Sequence, residues 1–193
     1  MKNLIHLLLI SLLIFNCTRE KSPLSPEDNT PVGEGEIYSV YSMVTNKMFI
    51  WENTKQVVVR DSTVTHNIDA QSEYLTEHLP QLDAALIADF NNQNTKRKPL
   101  KKIPGLNAHC ALFSDAEMEE IFNGGGWWPE FYKRYPKSSG LTDFSSVGFS
   151  NDGKTALLYA SSMQGGLAGA GYMILLEKTD QWHIVKSLML WIS

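Results

Sequence analysis

The amino-acid sequence predicts an α+β domain, and three observations carry the expectation. Four short apolar segments with brief turn-forming connections close the chain, amphipathic segments at helical spacing concentrate before them, and the two kinds of pattern hardly interleave. The four closing segments imply an antiparallel meander, extended by one or two strands from the N-terminal part, with the upstream helices covering one face.

Ahead of the domain stands an address label. Met1-Lys2-Asn3 carries one positive charge, and Leu4 to Phe15 is apolar apart from His6 and Ser11, the layout of an export signal too short to span a bilayer. Leu13-Ile14-Phe15-Asn16 leads to Cys17, whose thiol is placed to carry a diacylglyceryl group after cleavage, although Asn16 is a looser choice than Gly, Ala or Ser. Residues 1–16 are therefore read as a lipoprotein leader and 17–33 as a tether, in which three prolines and several charges surround a single large aliphatic residue. Acyl chains contribute about 0.8 kcal/mol per buried methylene, so acylated Cys17 would hold the protein to a lipid bilayer at the cell envelope, facing the periplasm or the exterior.

Residues 34–193 form one domain by length. Ile37, Val40, Tyr41, Val44 and Met48 recur at helical spacing and predict a helix over 34–49. Gln56 to Thr65 is β-branched and follows the polar turn Asn53-Thr54-Lys55, which predicts a strand. Leu75, Leu79, Leu82, Leu86 and Phe90 fall at steps of three and four, giving one long helix or two meeting at Pro80. Five of the seven residues from Lys96 to Lys102 are basic, and Pro99 among them suits a solvated connecting loop.

Ala108 to Phe113 is a short apolar strand. Ser114 and Glu117 make a capping box that opens a helix over 115–122, stopped by Asn123-Gly124-Gly125-Gly126. Pro129 suits the first turn of another short helix, which brings Trp128, Phe131 and Tyr132 onto one face. Ser145–Ser150, the turn Asn151-Asp152-Gly153 and Lys154–Met163 read as a hairpin. Gln164 to Gly171 reads as a small-residue loop, and Tyr172–Lys178 and Trp182–Ile192 as the last two strands.

The function classes thin out quickly. Net charge is −4, or −5 once Lys2 leaves with the leader, which argues against a nucleic-acid partner. Gly165, Gly166, Gly169 and Gly171 lie between strands and no Gly-Lys-Ser/Thr follows, so they are no phosphate loop. Gly148-Phe149-Ser150-Asn151-Asp152 lacks the second glycine of a nucleophile elbow and the helix that must follow it. His66, His78, His109 and His183 show no metal-ligand spacing, and His109 and Cys110 point to opposite faces of one strand. Cys110, the one thiol left once Cys17 is acylated, has the flanks of a buried core residue. No catalytic residue, metal ligand or cofactor is assigned. The densest aromatic cluster, Trp127, Trp128, Phe131, Tyr132 and Tyr135, is the candidate binding surface through Trp127, Trp128, Tyr132 and Tyr135, against core packing as the plainer use of such rings.

Trp128-x-x-Phe131-x-x-x-Tyr135-Pro136, Val147-Gly148-Phe149, Gly165 to Tyr172 and the closing Leu190-Trp191-Ile192-Ser193 occur in an order that resembles a group of uncharacterised exported proteins and lipoproteins of Bacteroidota. The resemblance covers roughly residues 125–193; it implies the meander and a lineage that accepts Asn16, and no activity. The expected function is a non-enzymatic envelope module that binds a protein or small ligand. Its rival is an envelope hydrolase acting on cell-wall or extracellular polymers.

Overall fold

The computed structural model describes residues 32–68, 72–79, 82–125 and 127–193; the leader, Cys17, all of the tether before Val32, and Pro80 lie outside them. Helix α1 spans Glu34–Val44, with Glu34 and Glu36 in its first turn, where unpaired N–H groups favour negative charge. It passes directly into a π-turn, Thr45–Phe49, while the Thr45 hydroxyl donates to the Tyr41 carbonyl at 2.6 Å. The strand expected over 56–65 pairs regularly only over β1, Gln56–Arg60, with isolated bridges at Ser62 and Val64 beyond it. The leucine-rich stretch divides into α2, Ser72–His78, and α3, Ala84–Gln93, whose start is capped by the Asp83 carboxylate accepting from Leu86 N–H at 2.8 Å.

Strand β2 is His109–Phe113. The Ser114–Glu117 capping box is present on both sides and opens α4, Asp115–Met118, which continues as a π-turn over Glu119–Asn123. Then follow α5, Trp127–Arg134; β3, Ser138–Phe144; β4, Gly148–Phe149; β5, Thr155–Gly165; β6, Ala168–Lys178; and β7, Trp182–Ile192. The sheet order is β2-β1-β3-β5-β6-β7, with β4 paired to β5 off this path. Strands β4 to β7 form the antiparallel meander, while β1 lies parallel to both β2 and β3. The fold class is α+β.

Three expectations need correction. Helices cover both faces of the sheet: α1 packs on Val57, Val59, Ala156, Leu158, Ala160, Ile174 and Leu176, and the other face buries Val58, Leu157, Met173 and Leu175. The cause is legible in β5 and β6, where consecutive buried residues leave no polar face to give to water. The segment over 164–171 is no open loop: Gly165 pairs with Ala168, so only Gly166 and Leu167 turn the chain, and Gly169 and Gly171 belong to β6. Gly171 has to be glycine, because an added Cβ would lie 2.1 Å from the Trp191 indole nitrogen and 2.8 Å from the Tyr159 hydroxyl oxygen. The first hairpin strand shrinks to β4, since Ser145 bridges Val64 and Gly148 lies against α3, where a Cβ would come within 2.5 Å of the Phe90 Cα. β3, beginning three residues after Tyr135, was not foreseen and occupies the centre of the sheet.

The two sides of the second face carry separate apolar blocks. α2 and α3 cover Leu157, Tyr159, Met173 and Leu175 through Leu75, Leu79, Leu86 and Phe90. The α4–α5 region covers Val58, Phe113 and Leu141 through Ile121 and Phe131.

Candidate functional site

The aromatic cluster of α5 mostly serves packing. Phe131 is fully buried, with ring centres of Phe113, Phe122, Trp128, Tyr132 and Tyr135 within 6.1 Å of its own. Trp128 is half-buried against Phe122 and Phe131. Tyr132 donates its hydroxyl to the Gln164 carbonyl at 2.9 Å, tying α5 to the glycine hairpin, and Tyr135 donates to the Glu117 carboxylate. Trp127 alone of the four candidates is open, 59 % exposed, and it holds a left-handed φ of 52° that a bulky residue rarely adopts.

A second polar group lies between the two helical blocks. Burial pushes the Asp143 carboxyl above its ordinary value, and the Ser161 hydroxyl donates to it at 3.5 Å. Arg60 and Arg97, whose field reaches Asp143, bond Asp115 instead, at 2.5 and 2.9 Å. His66 is stacked on Tyr159 with ring centres 4.3 Å apart, and burial lowers its pKa. Serine, carboxylate and imidazole therefore do not form a hydrogen-bonded chain among the described residues, and no three His, Cys, Asp or Glu side chains there converge on a metal position. Cys110 is buried, and burial raises its thiol pKa, which leaves it poorly nucleophilic. Ser150 closes the β4–β5 turn, with its hydroxyl on Asp152 at 2.7 Å.

A cavity of about 620 Å³ flanks α1 near Glu36, Lys47, Lys178, Asp180 and Trp182. Its charges already serve one another, since the Glu36 carboxylate accepts from Lys178 at 2.7 Å and from the Trp182 indole at 2.8 Å. These two hydrogen bonds hold the Glu36 carboxyl below its ordinary value.

A different groove, about 500 Å³, lies beyond the π-turn of α1 on the sheet face that α1 leaves uncovered. Met48, Phe49 and Trp51 form its wall, and Ser162, Gly169, Ala170, Tyr172, Ser187 and Ile192 its floor. Gln164, Ala168 and Ser193 complete the lining, and among the described residues no acidic, basic or histidine side chain takes part in it. Of the six large apolar side chains exposed among the described residues, two line this groove, Trp51 at 47 % and Ile192 at 73 %; Leu167, at 90 %, sits on the adjoining hairpin turn, and Met189 lies opposite Tyr172.

Trp51 is fixed in place. Its N–H donates to the Thr54 hydroxyl, Thr54 N–H donates to the Trp51 carbonyl, and the indole N–H donates to the Met48 carbonyl, each at 3.1 Å. Asn53, at φ 74°, makes the tight turn possible. Sequence reading passed over Trp51 because it stands alone; its signal was a tryptophan immediately before the polar run Glu52-Asn53-Thr54, where no core can claim it. The groove also stands at the far end of the domain from the chain's entry. Val32 lies beside Gly153 in the β4–β5 turn, and the eleven residues of β5 put the opposite turn about 35 Å away.

Compared with protein families, with curated proteins and with solved structures, the chain matches none.

Proposed function

We propose that this chain is a membrane-anchored envelope lipoprotein whose domain is a non-enzymatic binding module, tethered through acylated Cys17 at one end and binding through the groove at the other. The observation that carries the reading is the groove itself, lined by uncharged side chains, beside which Trp51, Ile192, Leu167 and Met189 gather at one end of the sheet without a covering element among the described residues. A monomeric domain scatters its exposed apolar side chains; gathering them marks a contact surface. The anchor rests on the leader and Cys17, and Val32 is the fifteenth residue after Cys17, a reach of at most about 50 Å. A tether of that reach leaves the groove, at the opposite end of the domain, free to face away from the anchoring bilayer.

Two measurements test the two halves. Cys17→Ser should move the protein from the membrane fraction to the soluble fraction or leave it uncleaved; processing and membrane retention like the parent chain would remove the anchor. For the groove, a neutral apolar fluorophore such as N-phenyl-1-naphthylamine should bind the parent chain, and Ile192→Asp should weaken it by about tenfold, 1.4 kcal/mol, with the urea midpoint unchanged. Equal binding by parent and variant would sink the module reading.

A further inference from the structure

We propose that the groove beside Trp51 takes a neutral saccharide, with a sugar ring stacked on the Trp51 indole. The inference rests on the binding-module reading and names its ligand class. Trp51 offers a ring face rather than a hydrogen bond, since its one donor is committed to the Met48 carbonyl while about half its surface stays open. A ring held this rigidly loses little entropy when a ligand stacks on it, and the C–H faces of sugars supply the flat apolar surface it needs.

The same groove is lined by hydrogen-bonding groups that the described residues leave unused. The Gln164 amide and the Ser187 and Tyr172 hydroxyls line the groove and make no side-chain hydrogen bond with the described residues. An aromatic wall and a few unused hydroxyl and amide groups lining one groove, in a volume within the range of small-ligand sites, suit a ligand that alternates apolar faces with hydroxyls. Among the described residues the lining offers no basic side chain to pair with the carboxylate of an acidic sugar, which favours a neutral one.

An extended peptide fits less well. The floor strands β5, β6 and β7 spend their backbone groups on one another, so a peptide laid across the face finds no main-chain partners. The outer edge of β7 is guarded by two bulges, at Val185 and Leu190, and by Lys186 between them.

The test is calorimetric titration of the full chain with neutral tetrasaccharides of glucose, xylose and N-acetylglucosamine, with polygalacturonate as the acidic control and N-phenyl-1-naphthylamine in parallel. At least one neutral sugar should bind below about 1 mM, and polygalacturonate should not. Trp51→Ala should weaken that binding at least tenfold, Trp51→Phe by less, and Ser187→Ala about two- to fivefold, whereas Trp127→Ala should leave it unchanged. No neutral sugar binding up to about 10 mM, or binding indifferent to Trp51→Ala, would overturn the saccharide assignment. If the fluorophore still binds in a manner that depends on Trp51 and Ile192, the module reading survives that failure; if it does not, both fall together.

Discussion

The corner around Trp127 to Tyr135 and the corner around Trp51 use aromatic rings in opposite ways. On α5, rings at helical spacing converge on Phe131 and are consumed in packing, with both tyrosine hydroxyls tied to the rest of the protein. At Trp51, a single ring is gripped by its own turn and kept half open beside a groove lined by uncharged side chains. Aromatic density in a sequence thus points to a core, and an isolated tryptophan in a polar turn points to a surface.

That contrast can be broken by substitution, beginning with the largest effect. Phe131→Ala removes the centre of the ring cluster and should cost about 3–5 kcal/mol in urea unfolding. If it costs less than about 1 kcal/mol, the α5 corner is not core and the distinction fails. Gly171→Ala pushes a methyl into the Trp191 indole and should cost about 1–3 kcal/mol, which also checks that the glycine segment is strand.

The pH dependence is smaller and has a definite sign. His66 has a lowered pKa in the folded state, so the unfolded chain binds the proton first as pH falls. Its contribution is present above about pH 6.5 and is lost progressively below it; His66→Phe should flatten the fall in stability between about pH 7 and 5. A parent and variant with parallel pH profiles would contradict this burial.

At the open corners the effects are slight. Trp127→Gly relieves a left-handed backbone and should raise stability by about 1 kcal/mol. Trp51→Ala should change stability by no more than about 0.5 kcal/mol while altering ligand binding, the reverse of Phe131→Ala. A large stability loss at Trp51 would make it one more packing residue.

Much of the local structure was legible beforehand. The spacing of Val40, Tyr41 and Val44, the Ser114–Glu117 box and the Asn151-Asp152-Gly153 turn act over a few residues, so their signals survive without knowledge of the fold. β3 was missed because Ser138-Ser139-Gly140 opens it with turn-forming residues, and its place between β1 and β5 depends on partners remote in sequence. The π-turns after α1 and α4 have no cue in apolar periodicity. Of the candidate site, the α5 rings were visible as a cluster, but their burial around Phe131 was decided by Phe113 and Phe122, which come from other elements.

By itself, then, the sequence determined the α+β class and the element order of the meander, because both are written in short-range spacing and composition. Tertiary structure alone decided that helices clothe both faces, that β3 joins a parallel pair to the meander, and that Trp51, Tyr172 and Ile192 share one groove. Those outcomes depend on pairing and packing between residues remote in sequence, such as Val58 with Leu141 and Trp51 with Tyr172, and no local pattern encodes which surface α1 leaves uncovered.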